Sequence, residues 1–211
     1  MQIFWHGQSC FKIQGGDTAV IIDPYDKTIG LKVPRLQGNI VLTTHGHYDH
    51  NAVKAVGGNP FIVNGPGEYE KNDIFILGLS SWHDEVKGAE RGPNTIYIIT
   101  MEGMNIAHLG DLGHVLEGEQ LAKLDNIDIL LIPVGGVYTL DAKKAAQVVS
   151  QIEPRIVIPM HYKIPGLNIK LDSVENFIKE MGVSKPEKVD KFKIAKKDLP
   201  ADKIEVVILN F

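Results

Sequence analysis

The stretch VLTTHGHYDHNAVKAV, residues 41–56, decides how this chain is read. It opens as a run of strand formers and passes directly into three histidines and an aspartate within six positions: His45, His47, Asp49 and His50. Packing makes no such demand, since an apolar core has no use for H-x-H-x-D-H. Neutral imidazole and carboxylate are the ligands that borderline divalent cations prefer, and crowding them where a strand ends lets several side chains converge on one point. The bland alternative is a polar surface loop with incidental histidines, and the density of the cluster argues against it.

Outward from the cluster, short runs rich in Val and Ile recur at 18–23, 39–44, 94–100, 127–134, 155–160 and 203–210. Gly, Pro, Asn or Asp usually flank them, which is how buried strands read. Met-Glu-Gly-Met at 101–104 reads as a hairpin turn. Helical spacing appears at 139–153, through Ala142, Ala145, Ala146, Val149 and Ile152, and at 173–182, between a Ser173 cap and Gly182. A shorter helix is expected at 118–126. Strand-rich segments first and αβ alternation later point to a layered α/β protein with helices outside sheets, not an all-β sandwich.

The 211 residues, 44% hydrophobic and 23% charged, suffice for one well-buried core, so a single domain over 1–211 is expected. A formal charge of -4 gives no global attraction for nucleic acid or anionic membrane, and neither is expected as a partner. The lysine-rich stretch 185–200 also carries Glu187, Asp190 and Asp198 and reads as a solvated face. Cys10 is the sole cysteine, so no intramolecular disulfide is available, and it reads as a small core residue. No run approaches the roughly 20 apolar residues of a membrane span, and MQIFWHGQSC has no basic start followed by an apolar core. A soluble cytoplasmic protein is the expectation.

The H-x-H-x-D-H pattern resembles the metallo-β-lactamase superfamily. The resemblance implies a four-layer αββα sandwich, two sheets face to face with helices outside, and a site at one edge where strand-end loops meet. It also implies that His45 and His47 bind one metal while Asp49 and His50 bind a second. Further ligands should then follow at strand ends, and IFILGLSSWHDE (74–85) ends near His83, NIAHLGDLGH (105–114) contains Asp111, and RIVIPMHY (155–162) holds His161. By resemblance, His83 completes the first site, Asp111 bridges both metals and His161 completes the second.

Such an arrangement leaves each metal an open position, and a hydroxide held between two metals forms near neutral pH because coordination lowers the pKa of water from 15.7 toward roughly 7. Asp49 and Asp111 thereby enter the catalytic set. Five histidines with two carboxylates suit Zn2+, although the same donors accept Mn2+ or Fe. The patterns HGQSCFKI, PGEYE (66–70), WHDE, RGPNTIYII (91–99), HLGDLGH, PVGG (133–136) and IPMHY further resemble a small branch related to ascorbate-6-phosphate lactonase, over about residues 1–165. That branch implies metal-dependent hydrolysis of a small ester, lactone or phosphate-containing metabolite. The alternatives are a nuclease or phosphodiesterase using the same seven ligands, and a metal-binding sensor without turnover. An oxidoreductase would call for a flavin or rubredoxin partner.

Other polar residues have two readings each. His114, three residues after Asp111, is a candidate to orient substrate or transfer a proton, or else a turn histidine. His6 is a candidate to sit over the metals, or packs at a strand end. His108 points into packing or toward a second hydrogen bond. Asp23 could orient a ligand histidine or simply form an Asp-Pro turn. Arg91 and Asn94 are candidate anion contacts, against a salt bridge and a turn role. Asp141 at a helix start suits the positive end of the macrodipole. Gly135 and Gly136 allow close approach or make a turn; Glu68 sits in PGEYE.

Overall fold

In the computed structural model, which describes residues 1–211, the chain builds two sheets in succession and returns to the first with a late strand. The first sheet takes β1 (Gln2–Trp5), β2 (Phe11–Gly15), β3 (Thr18–Ile22), β5 (Ile40–Leu42), β7 (Phe61–Val63) and, at the edge beside β1, β15 (Phe192–Lys193). A separate two-residue parallel ladder joins β4 (Leu36–Gln37) to β6 (Val56–Gly57). The larger sheet starts as an antiparallel meander of β8 (Gly67–Lys71), β9 (Ile74–Trp82), β10 (Pro93–Met101) and β11 (Met104–His108). It continues as parallel neighbours through β12 (Ile129–Pro133), β13 (Ile156–Met160), β16 (Glu205–Leu209) and β14 (Glu187–Val189).

The β10–β11 hairpin closes where the sequence places it. Met101 pairs with Met104, and Glu102 and Gly103 both take positive φ, 50° and 73°, the turn geometry whose twist matches the flanking strands. Every residue of β12 and β13 is buried, which is why these strands read as unbroken apolar runs. Against β12 lies α2 (Ala142–Ile152), which buries Ala145, Val148, Val149 and Ile152 at helical spacing. Asp141 caps it by accepting the Lys144 N–H at 2.8 Å, so its carboxylate has a structural role at the helix start. The helix α3 (Val174–Glu180) packs on α2, and α1 (Gly118–Lys123) touches β9. One connected cluster of 56 buried apolar side chains draws on both sheets and on the helices, so the sheets share a core.

The αββα sandwich is asymmetric, because all three α-helices follow residue 117 and the earlier residues contribute only the 3₁₀ turns Lys27–Ile29 and Val53–Ala55. No helix is long and apolar enough to cross a membrane. Strand direction is what gathers the site. β3 and β5 are parallel neighbours; β11, β12 and β13 are parallel neighbours; and β9, two antiparallel steps from β11, runs the same way. The segments leaving β3, β5, β9, β11 and β13 carry Asp23, His45, His83, Asp111 and His161, and the His161 N–H donates to Gln8 O at 3.0 Å, tying the two sheets together.

Candidate metal centre

Asp111 is the hub. Its Oδ2 lies 3.1 Å from His83 Nε2, 3.2 Å from His161 Nε2, 3.3 Å from His50 Nε2 and 4.0 Å from His45 Nε2. Three overlapping groups of ligand atoms, each within 4.8 Å of one another, come together: His45, His47 and His83; Asp49, His50 and His161; and His45, His50 and Asp111. All seven residues singled out in the sequence are therefore brought to one place. They divide into two trios, with Asp111 set between them.

What orients the imidazoles is a buried carboxylate behind them. Asp23 accepts the Thr44 N–H and the Thr44 hydroxyl, each at 2.8 Å, and contacts His50 Nδ1 at 2.9 Å. A carboxylate only accepts, so His50 Nδ1 carries a proton and Nε2 is the atom turned toward the cluster. Thr44 Oγ1, with its hydrogen on Asp23, accepts from His45 Nδ1 at 3.0 Å and fixes that ring the same way. Asp23 thus performs the orienting role weighed for it, beside the turn into Pro24.

Gln8 and Ser9 were not singled out in the sequence. Gln8 Nε2 donates to Asp49 Oδ2 at 2.9 Å, and Ser9 Oγ contacts Asp111 Oδ1 at 3.4 Å. Gln8, Asp23 and His161 all adopt left-handed backbone, with φ of 53°, 47° and 52°. Non-glycine residues seldom do so, and their gathering here marks local strain at the site. At Gly110, φ 57°, a Cβ would run into Asn94 and Thr44; Gly135 passes so close to the His161 carbonyl that no side chain fits.

The electrostatics fit a cation. Asp23, Asp49 and Asp111 are all buried, and no lysine or arginine pairs with any of them. The compensating charge falls on His50: burial opposes its protonation, yet the carboxylates of Asp111, Asp23 and Asp49 hold its pKa well above the ordinary value. Burial, reinforced by the His50 charge, drives His45 down to about 2. Asp111 stays well below the usual carboxylate range because the charges of His161 and His50 outweigh its burial. Asp49 is held at about 2 against burial, chiefly by His50. His50 Nε2 is buried and, although 3.3 Å from Asp111 and 3.4 Å from Asp49, is aligned with neither for a hydrogen bond. Surplus buried carboxylate, neutral imidazole and a misaligned buried nitrogen form a donor set that divalent cations would satisfy.

His108 is fully buried; its Nε2 meets Ser9 O at 3.0 Å and its Nδ1 accepts the Gly110 N–H at 3.1 Å. Its role is to clamp the Gln8–Ser9 turn onto the loop of Asp111. Burial lowers its pKa, so above 6.5 it is neutral folded or unfolded, while below 6.5 the unfolded chain takes up a proton that the fold refuses. Stability is therefore lost on acidification, by at most about 1.4 kcal/mol per pH unit for one group. In urea titrations of chelated protein, His108→Gln is expected to be less stable than wild type at pH 7 and to lose less between pH 7 and 5. An equal loss in both proteins would contradict this account.

Two candidates leave the site. His114 turns back toward β9: its Nδ1–H donates to Val115 O at 2.9 Å and its Nε2 accepts the Trp82 N–H at 3.3 Å. With both nitrogens engaged by backbone and the ring absent from the cleft wall, the catalytic role expected of His114 is corrected to a structural one. Asn94 is neither turn residue nor anion contact. Buried in β10, it donates to Ser81 Oγ and Leu109 O and accepts the Asp111 N–H at 3.0 Å, which places that aspartate's backbone.

His6 is partly buried, with its Nε2 unpartnered, and it lines no cleft with the cluster. Glu68 is exposed in β8, and Cys10 is buried, its thiol pushed up by burial. Asp84, also unanticipated, accepts four backbone N–H groups at 2.7–3.0 Å, from Val86, Gly88, Glu90 and Arg91. Although burial opposes it, those donors hold its carboxyl below the usual range and shape the loop that presents Arg91.

A cleft of about 520 Å³ opens onto His47, Asp49, His83, Asp111 and His161, walled by Tyr48, Arg91, Tyr138 and residues 168–170. A second cavity of about 490 Å³ touches only His45 among the seven, so the first is the one that opens onto the cluster.

Residues 2–161 match the model of the β-lactamase superfamily domain. Among curated proteins, the chain is 30% identical to the UPF0173 metal-dependent hydrolase of Thermoplasma volcanium, over 77% of this chain and 83% of that one. It is 33% identical to a UPF0173 metal-dependent hydrolase of Nitratidesulfovibrio vulgaris, over 76% and 80%. Among solved structures, a Thermotoga maritima protein assigned to the zinc-dependent hydrolases of the metallo-β-lactamase superfamily superposes with a TM-score of 0.81 at 31% identity, covering 99% of this chain and 97% of the other.

Proposed function

The chain belongs to the metallo-β-lactamase superfamily, and from that premise we propose that it hydrolyses a small ester, lactone or phosphate-containing metabolite in the cytoplasm, using two divalent cations, zinc foremost. A metal-dependent hydrolase is what its relatives are; the finer reading is carried by one observation, the two trios of ligand atoms that share Asp111 at the floor of an open cleft. His45, His47 and His83 would hold one cation, and Asp49, His50 and His161 the other, with Asp111 between them. When bound, the cations supply an activated water and an electrophile for the scissile group.

The chain's own residues do the rest. Asp23 and Thr44 keep the Nε2 lone pairs of His50 and His45 on the cluster side. Gln8 occupies Oδ2 of Asp49, leaving Oδ1 without a protein donor and free to take a proton from water in the cleft that Asp49 lines. The cleft volume of about 520 Å³ falls within the range of small-molecule sites.

Elemental analysis of protein purified without added metal tests this, paired with hydrolysis of bis-(p-nitrophenyl) phosphate and a lactone panel before and after chelation. The expected result is about two cations per chain and activity that chelation abolishes. The apolar core contains none of the ligands, so circular dichroism should survive chelation while Tm falls, as it must when a ligand of the folded state is removed. A protein that neither carries nor takes up metal would overturn the proposal; salt-sensitive RNA cleavage would replace the small-molecule substrate with a nucleic acid.

A further inference from the structure

We propose that the substrate carries an anionic group remote from its scissile bond, a carboxylate or a phosphate monoester, and that Arg91 and Lys170 hold this group on the cleft wall. The inference rests on the metal-dependent hydrolase reading and adds the substrate's charge and the residues that read it.

Arg91 and Lys170 come from separate segments and line the same cleft as the ligand cluster. Neither is neutralised there. The one acid near Arg91 is Glu90, 3.4 Å from a single guanidinium nitrogen and itself 64% exposed, and no acid lies within 4 Å of Lys170. The only carboxylates lining the cleft are Asp49 and Asp111, both taken up at its floor. Two cations with no buried acid partner, both in the lining of one cleft, are complementary to an anion that the protein does not itself provide.

Arg91 is also prepared for the task. Its backbone N–H is fixed at 2.8 Å to Asp84, the hub of the 84–91 loop, and its guanidinium carbon lies 5.9 Å from the centroid of the Tyr138 ring. The ring flanks the guanidinium on the cleft wall, and a guanidinium's planar fork matches a carboxylate or phosphate in two parallel bonds. Arg155, by contrast, spends its donors on the carbonyls of Pro200 and Ala201. On the other side, residues 163–172 are pinned by the Asn168 N–H to Ile29 O at 2.8 Å and by the Asp172 N–H to Gly135 O at 2.8 Å, which sets Lys170 on a held segment.

The test compares hydroxamates that share one chelating head. Acetohydroxamate is neutral beyond that head, whereas succinic monohydroxamate and its phosphonate counterpart add a remote anion. Calorimetry on zinc-loaded protein should show an anion-bearing analogue binding about tenfold tighter than the parent, the scale of one charge-assisted contact. Within Arg91→Gln the ratio should fall below about threefold, and Lys170→Gln should lower it as well. Because each ratio is taken within one variant, a general loss of binding does not imitate the result. The carboxylate and phosphonate arms show which anion is preferred.

If the parent binds and neither analogue gains, the anion assignment falls while the metal reading stands. A gain that survives both substitutions would belong to the general field of the cations and would equally overturn the assignment to Arg91 and Lys170. If no hydroxamate binds, the metal reading fails and takes this inference with it.

Discussion

Asp111→Ala is expected to yield a folded chain that no longer retains its cations and hydrolyses at least about 10³-fold more slowly, the scale on which a preorganised electrostatic element is felt. Oδ2 of Asp111 stands within 3.3 Å of His50, His83 and His161, and no other residue lies between the two trios. In the proposed two-cation site its removal would deprive both cations of a shared anion. His47→Ala should behave differently. His47 is exposed and belongs to one trio alone, so its loss should lower the stoichiometry from about two cations toward about one. Elemental analysis of the two variants, with circular dichroism as the folding control, separates a shared ligand from an unshared one. Asp111→Ala with wild-type metal content would remove the aspartate from the centre of the site.

The second large effect lies behind the ligands. Asp23→Ala leaves three buried partners unsatisfied, the Thr44 N–H, the Thr44 hydroxyl and His50 Nδ1, and should cost about 3 kcal/mol or more of stability. Asp23→Asn is the more telling variant. Its carbonyl can still accept the Thr44 N–H, but its amide would donate to His50 Nδ1 and force that ring's proton onto Nε2, the atom aimed at the cluster. Cation affinity should fall about 10- to 100-fold, the usual cost of losing a ligand's orienting partner, with a smaller stability loss than alanine causes. Zinc titration and urea denaturation report the two quantities separately. An Asp23→Asn protein with wild-type zinc affinity would show that the tautomer of His50 is not set by this carboxylate.

The cluster was legible in the sequence because four of its members stand within six residues, and the family resemblance they carry then picks out His83, Asp111 and His161 at or just beyond the ends of apolar strand runs. The hairpin at Met101–Met104 and the helix beginning at Asp141 were legible for a related reason: turn and cap chemistry are local. What lay hidden acts across the chain. Gln8 reaches Asp49 over 41 residues and Ser9 reaches Asp111 over 102, and neither residue type advertises such a contact. His114 misleads because it is near Asp111 in sequence; the Gly113 N–H bonds Trp82 O at 3.0 Å and carries the following imidazole away from the cleft. Asn94 misleads because Pro93-Asn94 has the look of a turn, whereas the pair opens the nine-residue strand β10.

The left-handed backbone at Gln8, Asp23 and His161 bears on how this protein would respond to substitution there. Glycine would relax each position by relieving the clash between Cβ and the backbone, and each relaxation would also delete a side chain that holds, orients or constitutes a ligand. At Asp23 that relief comes with the loss of three buried hydrogen bonds, a larger cost than the strain removed. Backbone strain and polar contact are thus tied together at the site: the conformation persists because the side chain it presents is held from the other side.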